Sequence, residues 1–204
     1  MSRRTYTLGV PDGYEELECI NTTGSAAFAV TYNSVPATRG FSVTFKNSQS
    51  PTSDFVFCGC ARSTYMAWAL RLTTSGGIQY MYIPSDDTAY AYKNTNYTSG
   101  NYATVSYING ELFYCDGTSE TAPSMKTNNT AGSRFAIGGY YGTRLVTNNR
   151  KVIVSFKRVQ LYDDTMVVID LIPARQLSDG KIGMYDIINH VFYSSTTGTE
   201  FTTN

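Results

Sequence analysis

The sequence predicts an all-β fold, a sandwich or a barrel, on three observations. The 204 residues include 17 Tyr and 10 Phe beside a single Trp, with Thr, Ser, Asn and Gly abundant throughout. Aromatic and β-branched residues fit a pleated, half-buried surface, and Asn and Gly supply turns. Short segments of alternating apolar residues recur between turn signals from end to end, the spacing of antiparallel strands rather than of βαβ units. The strong helix formers are sparse by comparison.

Residues 14–21 form the first predicted strand, which ends at the small-residue break Thr22-Thr23-Gly24-Ser25. Phe28, Val30 and Tyr32 alternate with smaller residues, as do Phe41, Val43 and Phe45. Segments 55–60, 65–72 and 78–83 follow. In the second of these Met66, Trp68, Leu70 and Leu72 share one strand face, which places Trp68 in the core. Residues 86–101 read as a Tyr/Asn/Thr-rich loop, and 119–133 as another polar connection. Asn109-Gly110 between two β-rich runs predicts a hairpin with a type I′ turn, because both central residues must take positive φ. A second hairpin is predicted from 152–161 and 166–172, joined across Asp163-Asp164. No internal repeat or domain boundary interrupts the pattern. Residues 1–12 are expected to be an arm or linker, and 13–204 a single domain.

Charge and cysteine usage narrow the function classes. Sixteen basic and sixteen acidic residues cancel, with no run of either sign. That argues against nucleic acid as a partner, because such a partner calls for a concentrated basic patch. Lys151, Lys157 and Arg158 could form a local basic strip, but they read better as the polar side of a strand. No apolar stretch is long enough to span a membrane, and Met1-Ser-Arg-Arg is not followed by a secretory-type apolar segment, so neither membrane insertion nor a signal is expected. The four cysteines, Cys19, Cys58, Cys60 and Cys115, follow no disulfide or zinc spacing and are expected to be free thiols.

Two blocks carry a family resemblance. Pro11-Asp-Gly-Tyr-Glu-Glu-Leu-Glu-Cys-Ile-Asn-Thr-Thr-Gly24 resembles the opening strand of concanavalin A-like (LamG-type) jelly-roll domains of phage, prophage and gut bacterial surface proteins. The segment Asp170-Leu-Ile-Pro-Ala-Arg, followed by Asp179-Gly-Lys-Ile-Gly-Met-Tyr-Asp-Ile-Ile-Asn189, Val191-Phe-Tyr193 and Gly198-Thr-Glu-Phe201, resembles that family's closing segment. Tyr107-Ile-Asn-Gly-Glu-Leu-Phe113 is similar to its central hairpin, and Phe135-Ala-Ile-Gly-Gly139 to the strand after it. The resemblance implies a two-sheet antiparallel jelly-roll sandwich with the N-terminal strand beside the C-terminal one. Because this fold hosts lectins, glycosidases and structural modules alike, it implies fold more than function.

Catalysis is not expected. Glycoside hydrolysis needs two carboxylates at a set spacing, carried in family enzymes along one strand as Glu-x-Asp-x-x-Glu, and no such run occurs. Glu16 and Glu18 share a face, but in the opening strand, where they read as solvated surface. His190 is the only histidine and has no nucleophile motif to serve. Asp86, Asp87, Asp116, Asp163 and Asp164 are candidate loop ligands for calcium, although Asp-rich turns are common without metal; no cofactor is expected.

The candidate site is the Tyr-rich tract: Tyr90, Tyr92, Tyr97 and Tyr102, interleaved with Asn94 and Asn96. Aromatic rings stack on sugar faces while amides bond hydroxyls, and the same residues suit a protein contact. Protein contact is the first reading, glycan binding the second, and plain surface the third. The expected function is therefore that of a non-enzymatic phage virion protein, a capsid-decoration, head-fibre or tail-fibre module. Its expected partners are other virion subunits, in a homo-oligomer, and a host-surface glycan. A carbohydrate-binding module of a gut bacterial cell surface is the alternative.

Overall fold

The computed structural model describes residues 9–23, 25–31, 39–47, 51–59, 68–82, 91–95, 97–121, 134–141, 145–147 and 153–204. They form strands β1 (Tyr14–Glu16), β2 (Ile20–Asn21), β3 (Phe28–Thr31), β4 (Arg39–Asn47), β5 (Phe55–Gly59) and β6 (Trp68–Leu72). Next come β7 (Ile78–Tyr82), β8 (Ala91–Thr95), β9 (Ala103–Ile108), β10 (Glu111–Phe113), β11 (Ser119–Thr121) and β12 (Arg134–Ile137). The last six are β13 (Gly139–Tyr141), β14 (Leu145–Thr147), β15 (Val154–Asp163), β16 (Met166–Gln176), β17 (Ile182–Asp186) and β18 (Val191–Ser194). Among the described residues there is no helix.

Two antiparallel sheets make the sandwich. The larger has ten strands, ordered β11-β10-β9-β4-β15-β16-β17-β18, with β1 on β16 and β2 on β15; the smaller is ordered β3-β12-β5-β6-β7-β8. Neighbours in sheet order are distant in sequence, as in β9-β4-β15 and β3-β12-β5, so the chain crosses repeatedly between the sheets. This is a two-sheet antiparallel jelly-roll sandwich. A short β13–β14 ribbon is a separate two-stranded sheet lying against β5 and β12.

The core is built by alternation. Phe41, Val43 and Phe45 of β4, Val105 and Tyr107 of β9 and Val159 and Leu161 of β15 are buried, each separated by a residue on the other face. From the smaller sheet come Phe28, Val30, Phe57, Leu70, Leu72, Ile78, Tyr80, Phe135 and Ile137. Aromatic pairs bridge the two layers: Phe45 to Phe57 at 4.9 Å, Phe41 to Tyr80 at 6.0 Å and Phe57 to Phe156 at 6.1 Å between ring centroids. Such tilted pairs add to the burial itself. Trp68 stands in β6 opposite Tyr82. The placement of its ring, and all of Met66, lie outside the described residues.

Both predicted hairpins form. Asn109 and Gly110 take φ of 50° and 76°, joining β9 to β10 as a type I′ turn demands. Asp164, at φ 56°, turns β15 into β16. Three predicted elements are corrected; one is the 119–133 connection, whose residues Ser119–Thr121 are strand β11, paired with β10. The first strand is broken, because Leu17, Glu18 and Cys19 leave the ladder between β1 and β2. The 86–101 tract is not all loop: residues 91–95 are β8, paired with β7 from Ile78↔Thr95 to Tyr82↔Ala91. Pairing with β7 supplies the order that this polar strand's own pattern does not advertise.

The termini lie together as expected. Asn21 and Thr202 exchange backbone hydrogen bonds of 2.7 and 3.2 Å, and Phe201 packs edge-on against Phe28 at 5.7 Å. Cys19 and Cys58 are buried and Cys115 half-buried, none of them in a disulfide among the described residues; Cys60 lies outside those residues.

Candidate binding groove

Because Phe41, Val43 and Phe45 point inward, Ser42, Thr44 and Lys46 point outward from the larger sheet. On β9 the same parity sends Thr104 and Ser106 out. The ladder sets Ser42 opposite Ser106 and Thr44 opposite Thr104. Ser106 Oγ donates to Ser42 Oγ at 2.8 Å, and the Thr44 and Thr104 hydroxyls share a 2.8 Å hydrogen bond. Two rungs of side-chain hydroxyls thus line the outer face. On the other flank of β4, a bulge between Phe156 and Arg158 leaves Lys157 and Arg158 both exposed.

Beyond the Val159↔Leu171 pair, β15 and β16 part company. The N-terminal segment fills the split, with β1 on β16, β2 on β15, and Leu17 N–H donating to Pro173 O at 3.0 Å. Glu16 and Glu18 flank a cleft there of about 420 Å³, with Thr44, Lys157, Arg158 and Ile172. A second cleft of about 740 Å³ is bounded by Thr44, Tyr102, Thr104, Ser106, Phe113 and Lys157. Thr44 and Lys157 belong to both, so the two make one groove across the outer face.

Tyr102 is the aromatic residue of the groove on which the cations converge, with Phe113 and Tyr114 also in its lining. The ammonium groups of Lys46 and Lys157 lie 4.8 and 5.2 Å from its ring centroid. Its hydroxyl is buried with no hydrogen bond of ordinary geometry among the described residues. Burial, then the neighbouring Cys19 thiol and the charge of Glu18, push that hydroxyl's pKa well up, so the ring is a neutral phenol at physiological pH. The three cations here, Lys157 and Arg158 in the groove lining and Lys46 over the Tyr102 ring, differ in their commitments. Asp170 binds Arg158 through two hydrogen bonds, 2.9 Å from Nε and 2.7 Å from a terminal nitrogen, and accepts a third of 3.0 Å from Gln160. That carboxylate raises the Arg158 pKa. Lys46 and Lys157 form no ion pair with any described residue.

The Tyr-rich tract does not assemble as one surface. Tyr90 and Asn96 lie outside the described residues. Tyr92 stands in β8 opposite Met81. Asn94 pairs with Gln79, whose amide donates to it at 2.8 Å on the outer face of the smaller sheet. Tyr97 turns inward: its ring packs on Phe45 at 5.5 Å, its hydroxyl accepts from Asn47 N–H at 2.6 Å, and burial raises its pKa. Only Tyr102 of the described tyrosines in the tract enters the groove. It and Asn94 sit on opposite outer faces of the sandwich.

The remaining candidates are structural. Asp116 Oδ1 accepts from the Thr118 backbone and hydroxyl at 3.0 and 2.7 Å, closing a turn. Asp86 and Asp87 lie outside the described residues, and among the described ones no three His, Cys, Asp or Glu side chains gather as a metal site. His190 is an exposed turn residue at φ 58°, beside Tyr185. The parts missed in the sequence are Lys46 and the second role of Lys157. Their outward parity was readable from β4 and β15; their convergence on Tyr102 depends on sheet order, which no local pattern carries.

No protein-family model matches the chain, and no curated protein matches it. Among solved structures, one from botulinum neurotoxin type C, whose cell entry depends on two ganglioside molecules, superposes with a TM-score of 0.49 at 10% identity. That match spans 75% of this chain and 43% of the other. A mutant Trypanosoma rangeli sialidase with trans-sialidase activity gives 0.42 at 12% identity, over 75% and 27% of the two chains. A heptameric SAP-like pentraxin from Limulus polyphemus gives 0.39 at 10% identity, over 96% and 88%. The chain thus spans less than half the length of the first two.

Proposed function

We propose that the protein is a non-catalytic glycan-binding module whose ligand lies in the groove on the outer face of the larger sheet. The observation that carries this reading is the composition of that groove: the half-buried Tyr102 ring with Phe113 and Tyr114 nearby, two rungs of hydroxyls on the paired strands β4 and β9, and flanking cations. Sugar recognition uses this combination of apolar wall and a few fixed polar groups. Glu16 and Glu18 act as groove surface in this reading and take no part in bond cleavage.

The setting we propose is a phage particle, with the module serving as a capsid-decoration, head-fibre or tail-fibre component that contacts other subunits as a homo-oligomer. The resemblance of the opening and closing blocks to domains of phage and prophage proteins supports it. Immunogold electron microscopy of purified particles tests the setting. Label on the particle is the expected result, and label confined to the bacterial cell surface overturns it.

Binding is tested on a glycan array with the wild-type chain and Thr104→Trp, which fills the groove from an exposed position. The wild type is expected to retain one glycan class and the variant to lose it, with the melting temperature unchanged. An array with no signal, or a variant that binds normally, contradicts the reading. Incubation of the retained glycan with the protein is expected to release no reducing ends. Release that vanishes in Glu16→Gln or Glu18→Gln would make the module an enzyme.

A further inference from the structure

We propose that the saccharide held in this groove is acidic, and that its carboxylate or sulfate is received between Lys46 and Lys157 at the Tyr102 ring. The inference rests on the glycan reading above and adds the charge of the ligand. Lys46 comes from β4 and Lys157 from the bulge of β15, and both ammonium groups converge on one ring, at 4.8 and 5.2 Å. Holding two like charges over a single neutral ring is unfavourable unless something of opposite sign is shared between them. A cation–π contact offsets only part of that repulsion.

Among the described residues no carboxylate forms an ion pair with either lysine. Arg158, the third cation of the groove, is neutralised by the two-point grip of Asp170. Neither lysine has such a partner among the described residues, although Glu16 and Glu18 stand along the same groove. Nor is the pair a by-product of a basic surface, because the chain carries sixteen basic and sixteen acidic residues. Beside the lysines, the Ser42–Ser106 and Thr44–Thr104 rungs present groups that both donate and accept, as sugar hydroxyls require. The Tyr102 ring offers the apolar surface between them. An extended nucleic acid would call for a track of several phosphate contacts, and two lysines beside one ring supply only the first.

The test uses the full chain on an array of matched pairs: lactose against 3′-sialyllactose, and methyl-esterified against free oligogalacturonate, with oligodeoxythymidylate as a phosphate control. The strongest acidic ligand is then titrated by calorimetry against the wild type, Lys46→Gln, Lys157→Gln and the double Lys→Arg variant. Glutamine keeps much of the aliphatic stem, and melting curves verify folding. The acidic member of each pair should bind better, with each Lys→Gln variant weaker by roughly tenfold and the Arg variant within about threefold of wild type. Equal binding of neutral and acidic members, or Lys→Gln variants that bind as wild type does, would overturn this inference and leave the glycan reading intact. Oligodeoxythymidylate binding as tightly as the best saccharide would also overturn it, by showing recognition of charge alone. A wild-type chain that binds no saccharide removes both readings together.

Discussion

Asp186 has no exposed surface, yet its carboxylate is fully occupied. Oδ1 accepts from the backbone N–H of Asp170, Ile188 and Asn189 at 3.2, 3.0 and 3.3 Å, and Oδ2 accepts from the Asn189 side chain at 2.6 Å. The family-like Tyr-Asp-Ile-Ile-Asn run is thereby explained as the turn that joins β17 to β18. Asp186→Ala leaves the buried Asp170 N–H without its acceptor and removes the turn's anchor at Ile188 and Asn189, and hydrogen bonds to a charged group contribute roughly 1.5–3 kcal/mol each. Chemical denaturation should show a loss of at least that size, with Asn189→Ala costing less. A variant within about 0.5 kcal/mol of wild type, the range of ordinary surface changes, would mean the turn is held by other contacts. At this scale the sequence was legible where a residue's role is local. Asn109-Gly110 declared its own turn, whereas Tyr97 and Tyr102, five positions apart in a similar polar setting, went to opposite faces of the larger sheet. Nothing within the tract distinguishes them; Phe45 claims one and the two lysines claim the other.

At the scale of elements, β17 and β18 approach too closely for a side chain at Gly183. A Cβ there would meet the Tyr193 carbonyl oxygen at 2.1 Å and the Phe192 ring at 2.9 Å. Gly183→Ala is therefore expected to unpair β18 and to expose its backbone amides to hydrogen exchange, with the β9–β4–β15 ladder keeping its protection. Unchanged protection at Phe192 and Tyr193 would refute the packing described. The edges of the two sheets are clipped by Lys93 of β8 and Glu120 of β11 at 3.0 Å. Tyr114 and then Lys93 hold the Glu120 carboxyl below its ordinary pKa. A depressed carboxyl contributes stability above its unfolded-state pKa and loses it as pH falls through its folded-state value. The melting-temperature gap between wild type and Glu120→Gln should accordingly be present at neutral pH and close in acid. A gap that widens in acid has the wrong sign. The strand β8 escaped the sequence reading because Ala-Tyr-Lys-Asn-Thr has the polar, charge-bearing character of an edge, which resembles a loop when read without its neighbour. The bulge at Lys157 is illegible for a related reason, since the extra residue is visible only against β4.

At the scale of the molecule, the sandwich is held by aromatic contacts across the layers and closed by its own ends. Phe57 touches Phe45 and Phe156 from the opposite sheet, so Phe57→Ala is expected to cost about 3–5 kcal/mol, read from denaturant midpoints. The fold class, the apolar faces and the meeting of the termini were legible, because alternation and turn chemistry repeat along the whole chain. The groove was not, because it is assembled from β1, β4, β9 and β15, whose adjacency is a property of the crossovers. In the proposed reading ligand binds around Tyr102 on the larger sheet and not at β8 of the smaller one. Tyrosine-labelled protein titrated by NMR with the glycan retained on the array distinguishes the two. Shifts are expected at Tyr102, with Tyr90 and Tyr92 unmoved. Shifts at Tyr90 and Tyr92 with Tyr102 silent would contradict that reading.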